Sequence, residues 1–142
     1  MTNSRVCVDA SLLVKLAVTE DDSDIARGLW AKWVAESTEI AAPRLLHYEI
    51  TSTLRNKAYL GTLSTEEAET ALEKLIKLRV SIVEPPGLHV AAWKLATQLN
   101  RPTAYDANYL AVAQALDCPL WTADRRLYNA VKEDFPAIQL IC

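Results

Sequence analysis

The chain has little cysteine, little histidine and no long apolar run, and each shortage removes a class of protein. Its three cysteines, Cys7, Cys118 and Cys142, are odd in number, widely spaced and form no CxxC pair. A disulfide framework and a zinc knuckle are therefore excluded, and all three thiols are expected to be reduced, Cys7 as packing in a core strand. Two histidines, His47 and His89, are too few for a zinc enzyme and read as surface or core side chains. No apolar segment approaches a membrane span, and the opening MTNSRVCVDASLLV lacks the apolar stretch and cleavage site of a secretory signal. A cytoplasmic protein without membrane contact is the expectation. Positive charge is not in excess either, with 15 Lys+Arg against 18 Asp+Glu for a formal net charge of −3. That excludes holding nucleic acid by bulk charge, but not a nuclease whose acids are neutralised by a bound metal ion.

What is present fits one globular domain spanning 1–142, with an apolar fraction of 51% that leaves some surface for a partner. No repeat or low-complexity tract interrupts it. Five short runs read as strands: RVCVD near 5–9, EIAA near 39–42, VSIVE near 80–84, PLWTA near 119–123 and IQLIC at the end. Helical patterns fill the intervals at 11–18, 24–36, 43–60, 65–78, 88–99, 104–116 and 125–133. Gly61 ends one helix and Ser64-x-x-Glu67 is a capping box that opens the next, so these two form a hairpin. Alternating strands and helices imply a three-layer α/β/α domain with a parallel sheet, whose ligands bind beyond the strand carboxyl ends where the strand order reverses.

That rule directs attention to acids at strand ends. Asp9 closes the first strand and Asp124 the fourth; in a sheet of order 3-2-1-4-5 these strands are neighbours and the two aspartates face each other. Each also suits a helix N-cap. Glu49 flanks the core stripe Leu46, Ile50 and Leu54, with a surface ion pair to Arg44 or Arg55 as its ordinary alternative. Asp106 stands in the first turn of PTAYDANYLAVAQALD, a helix apolar almost all round, where Thr103-Ala-Tyr-Asp106 matches a capping pattern. Four carboxylates sharing one crevice would repel unless cations intervene, and Mg²⁺ or Mn²⁺ is the natural partner of hard oxygen donors. One or two such ions activate water and neutralise phosphate, which fits phosphodiester hydrolysis. Lys15, Arg44, Arg125 and Arg126 are the candidates to grip the phosphates of such a substrate. Helix 24–36 carries Ile25, Leu29, Trp30, Trp33 and Val34, with the alternatives that the tryptophans anchor a partner or pack within the domain.

In their order and spacing, VCVDASLLVKL, PRLLHYEITSTL and TAYDANYLAVAQALDCPLWTADRRLYNAV resemble the PIN-domain ribonucleases, and closely the VapC toxins of VapBC-type toxin–antitoxin pairs. The resemblance implies a parallel sheet of order 3-2-1-4-5, and a metal-dependent endoribonuclease whose four acids match Asp9, Glu49, Asp106 and Asp124. It also implies that Ser11 and Thr122 support those acids by hydrogen bonding. A homodimer, and an antitoxin that lies against the acidic site and silences it, are implied in the same way. Two other readings stand beside it. A magnesium-dependent phosphatase wants Asp-x-Asp after the first strand, where this chain has Asp9-Ala-Ser11. A non-catalytic protein- or RNA-binding module would keep the crevice without the chemistry.

Overall fold

The computed structural model describes residues 4–141; Cys142, and with it the end of the last expected strand, lies outside the described residues. The first strand, β1 (Arg5–Val8), is exposed at Arg5 and buried over its remaining three residues, as a strand covered on both faces must be. Asp9 caps α1 (Ala10–Ala17), and α2 (Ser23–Ala35) follows. After β2 (Glu39–Ala42), α3 (Leu45–Tyr59) and α4 (Thr65–Ile76) form the expected hairpin. Gly61, at φ +79°, takes the left-handed conformation after α3, and Ser64 and Glu67 close a reciprocal capping box at the start of α4.

The third strand is shorter than its apolar run, because β3 pairs over Ser81–Ile82 alone. It is the sheet edge, where a strand has one neighbour to hold it. The helices α5 (Leu88–Gln98) and α6 (Tyr105–Leu116) lead to β4 (Leu120–Thr122), α7 (Arg125–Val131) and β5 (Ile138–Leu140). All pairings are parallel, in the order β3-β2-β1-β4-β5. No helix among the described residues is long and apolar enough to cross a membrane.

Helix α1 packs against α2, α3 and α4, while α6 packs against α5, β1 and β4. Ala107 and Tyr109 to Ala113 of α6 are buried, which accounts for its apolar composition. The buried Cys7 thiol reaches the Tyr109 carbonyl at 3.7 Å, and burial pushes its pKa up, so it is a packing group. Cys7 and Cys118 are free thiols. On α2 the tryptophans pack inward: Trp33 is buried and meets Trp30 and Trp121 edge-on at 6.3 and 5.9 Å between centroids. The surface surplus of this helix is aliphatic, at Ile25 and Val34.

Leu110 is fully buried where α6 meets the sheet. Leu110→Ala is expected to lower unfolding free energy by about 2–5 kcal/mol in urea titrations, with little change in the denaturant slope.

Candidate active site

The strand order reverses between β1 and β4, and the chain places an acid after each strand. Asp9 follows β1 as the N-cap of α1 and is buried, with Leu12 N–H donating to Oδ1 at 3.2 Å. Ser11 Oγ donates to the same oxygen at 2.6 Å, and Thr122 Oγ1, at the end of β4, donates to Oδ2 at 2.5 Å. Both hydroxyls are themselves oriented: Ala123 N–H donates to Ser11 Oγ and Asp124 N–H to Thr122 Oγ1, each at 3.0 Å. With one proton apiece and both directed at Asp9, Ser11 and Thr122 bind a charged carboxylate rather than each other. Burial nevertheless dominates and raises Asp9 from the ordinary 3.8 to about 6, with Ser11, Thr122 and Leu12 pulling it down and Asp106 pushing it up.

Asp124 caps α7 through Leu127 N–H at 3.1 Å. Glu49, on the cleft side of α3, accepts from Tyr109 Oη at 2.5 Å. Burial raises its pKa against that hydrogen bond, Asp106 adding to the rise; the same pairing and burial raise Tyr109. Asp106 is the second residue of α6, but the capping box expected from Thr103 does not form. Ala104 is the N-cap, without a side-chain bond. The Asp106 carboxylate instead lies 3.7 Å from Arg101 Nη2. Burial, then Asp124, raises its pKa, and Arg101 lowers it.

Asp9, Glu49, Asp106 and Asp124 line one open cleft of about 370 Å³, together with Ser11. Among the described residues no three His, Cys, Asp or Glu side chains gather closely enough to hold a metal ion. The four carboxylates belong to the lining of the cleft, and neither His47 nor His89 does. Such a donor set fits a hard divalent cation that keeps several waters, and not zinc.

The expected cationic grips divide. Lys15 lines the cleft. Arg44 lies outside its lining and pairs with Glu84 at 3.2 Å, while Arg125 and Arg126 are exposed at the start of α7, also outside the lining. Neither arginine neighbour takes Glu49: Arg55 stands over the Tyr59 ring, 5.7 Å from its centroid. Tyr109, Lys57, Arg101 and Glu20 escaped the sequence reading. Lys57 was findable, since it shares the cleft-facing side of α3 with Glu49 and Thr53 at helical spacing. So was Tyr109, one turn beyond Asp106, because a tyrosine in a buried helix needs a partner for its hydroxyl. Glu20 lies in an irregular loop and Arg101 before α6, where no periodicity operates.

A parallel 3-2-1-4-5 sheet with acids from four elements around its switch-point cleft defines a doubly wound α/β domain with an acidic cleft. The chain belongs to the PIN-domain family, whose family model matches residues 6–133. Within that family its relatives include a VapC ribonuclease of Mycobacterium bovis, 33% identical over 106 residues that cover 75% of this chain and 81% of that protein. Ribonuclease VapC3 of Pyrobaculum aerophilum is 31% identical over 135 residues, 94% of this chain and 97% of its own. The crystal structure of PAE2754 from Pyrobaculum aerophilum matches with a TM-score of 0.66 at 29% identity, covering 89% of this chain and 84% of that one.

The raised Asp9 pKa makes the metal-free fold pH-dependent. Below pH 3.8 the carboxyl is protonated in both states; between 3.8 and about 6 the unfolded chain ionises while the folded one holds its proton. Stability from this group is therefore present at low pH and lost as pH rises to about 6. Asp9→Asn keeps the acceptor for Ser11 and Leu12 N–H and removes the charge. With chelator present it is expected to be more stable than wild type at neutral pH by on the order of 2 kcal/mol. Chemical denaturation at neutral pH and below pH 3.8 checks this, the advantage disappearing in acid.

Proposed function

We propose that this chain is a metal-dependent endoribonuclease of the VapC kind, acting as one PIN domain on RNA phosphodiester bonds. The observation that carries the proposal is the convergence of Asp9, Glu49, Asp106 and Asp124 from four separate elements on one cleft. The kinship with VapC ribonucleases supports RNA as the substrate.

A bound Mg²⁺ or Mn²⁺ supplies Lewis acidity and a more acidic water. The protein supplies the frame. Ser11, Thr122 and Leu12 N–H use three of the roughly four acceptor directions of the Asp9 carboxylate, leaving one oxygen direction for a ligand. Tyr109 fixes Glu49 by Oε1, and the Leu127 N–H fixes Asp124 by Oδ1, so in both the second oxygen is the one available to the cleft. Asp106, held loosely by Arg101 at 3.7 Å, can bind a cation or accept a proton from an attacking water. The phosphatase reading loses its second acid, because Ser11 occupies that position and its hydroxyl proton goes to Asp9.

The same reading assigns the chain to the cytoplasm as the toxin of a type II toxin–antitoxin pair, dimeric and silenced by an antitoxin laid against the cleft. Exposed Val34, Tyr48, Tyr59, Val90, Trp93 and Tyr105 offer apolar surface for such contacts.

The deciding experiment incubates antitoxin-free protein with a pool of structured cellular RNAs, with and without Mg²⁺ or Mn²⁺, and sequences the new RNA ends. Cuts that require metal and vanish in Asp106→Asn are expected; RNA left intact by a protein that also binds no metal would favour the non-catalytic module. On light scattering the protein is expected at twice its chain mass, and a monomer at micromolar concentration would count against the dimer.

A further inference from the structure

Besides its acids, the cleft carries a second charged device. Glu20, in the loop after α1, bridges two lysines: its Oε1 lies 3.6 Å from Lys15 Nζ and its Oε2 lies 3.2 Å from Lys57 Nζ. Lys15 Nζ also donates to the Asp21 carbonyl at 2.6 Å. All three side chains line the cleft and are well covered, at 15% exposure for Lys15, 21% for Lys57 and 32% for Glu20. Yet among the described residues no ion pair joins either lysine to Asp9, Glu49, Asp106 or Asp124.

That separation needs a cause, because two ammonium groups sharing a cleft with four carboxylates are drawn towards them. Glu20 and the Asp21 carbonyl supply it by binding both ammonium groups. Two lysines around one carboxylate leave one positive charge in excess. Of the three donors on Lys57, the described hydrogen bonds use one, to Glu20. The cleft thus holds, besides its four acids, a lysine pair with positive charge to spare for an anion.

We infer that Lys57 and Lys15 grip a non-bridging phosphate oxygen of the RNA backbone beside the acids, with Glu20 as the positioning residue that keeps both ammonium groups off the carboxylates. The inference rests on reading the cleft as an RNA phosphodiester site. It makes the phosphate grip part of the cleft itself, independent of Arg44, Arg125 and Arg126.

The test uses Lys15→Met with Lys57→Met, Lys57→Met alone, and Glu20→Gln. Binding of a fluorescein-labelled pool of short single-stranded RNA is followed across a salt series with chelator; magnesium affinity comes from calorimetry, and KM and kcat from any RNA that is cut. The double variant is expected to flatten the log Kd against log salt slope by about 0.7 for each phosphate that the protein no longer neutralises. It should raise KM at least about fivefold with kcat and magnesium affinity little changed. Glu20→Gln should weaken magnesium binding, as the released lysines fall onto the acids. Should the double variant melt early, Lys57→Met alone carries the test. An unchanged salt slope and KM in folded variants overturns the inference, as does a wild type with no RNA affinity at low salt. Lysine-dependent binding without cleavage would defeat the nuclease reading and leave the grip standing; cleavage indifferent to the lysines would do the reverse.

Discussion

A carboxylate buried at the end of a central strand is costly unless donors surround it, and Asp9 draws three donors from two elements. Leu12 N–H comes from the first turn of α1, Ser11 Oγ from the same turn, and Thr122 Oγ1 from the end of β4. The backbone amides of Ala123 and Asp124 then orient those hydroxyls. One charge thereby ties β1, α1, β4 and the entry to α7 together, where the strand order reverses. The cleft is shaped by this network, because the Asp124 whose amide feeds Thr122 is also the cap of α7.

Its donors do not fully compensate Asp9. Burial wins, and the proton affinities of Asp9, Glu49 and Asp106 all rise, two of them through further mutual repulsion with Asp106 and the third through Asp124. A fold selected for stability alone would place an apolar side chain or a neutral amide at Asp9. Perturbed proton affinities of this kind cluster at functional sites. Helix α6 serves both demands: its buried body anchors the sheet, while Tyr109 turns a polar tip to Glu49 and Asp106 holds its carboxylate at the rim. The lysines that could relieve the strain are held by Glu20 instead.

Much of this was legible along the chain. Strand runs, helix periods and the capping box at Ser64 depend on local chemistry, and they reappear with boundaries moved by a residue or two. The fold class and the positions of Asp9 and Asp124 at strand ends follow from the same alternation. Thr103 misled, since a capping pattern is only an offer of a hydrogen bond, and the preceding turn placed Ala104 at the cap instead. Strand β3 is shorter than its apolar run, because such a run marks residues that can be buried and not how many of them pair at a sheet edge.

By itself the sequence determined the elements, the sheet class and the acids available at strand ends, because turn chemistry and burial periodicity act over a few residues. Only the tertiary structure decided who meets whom. Tyr109 reaches Glu49 across 60 positions, Thr122 reaches Asp9 across 113, and Lys57 reaches Glu20 across 37. Those partnerships depend on strand order and helix docking, which bring together side chains that no local spacing relates, and they set the charge of the cleft.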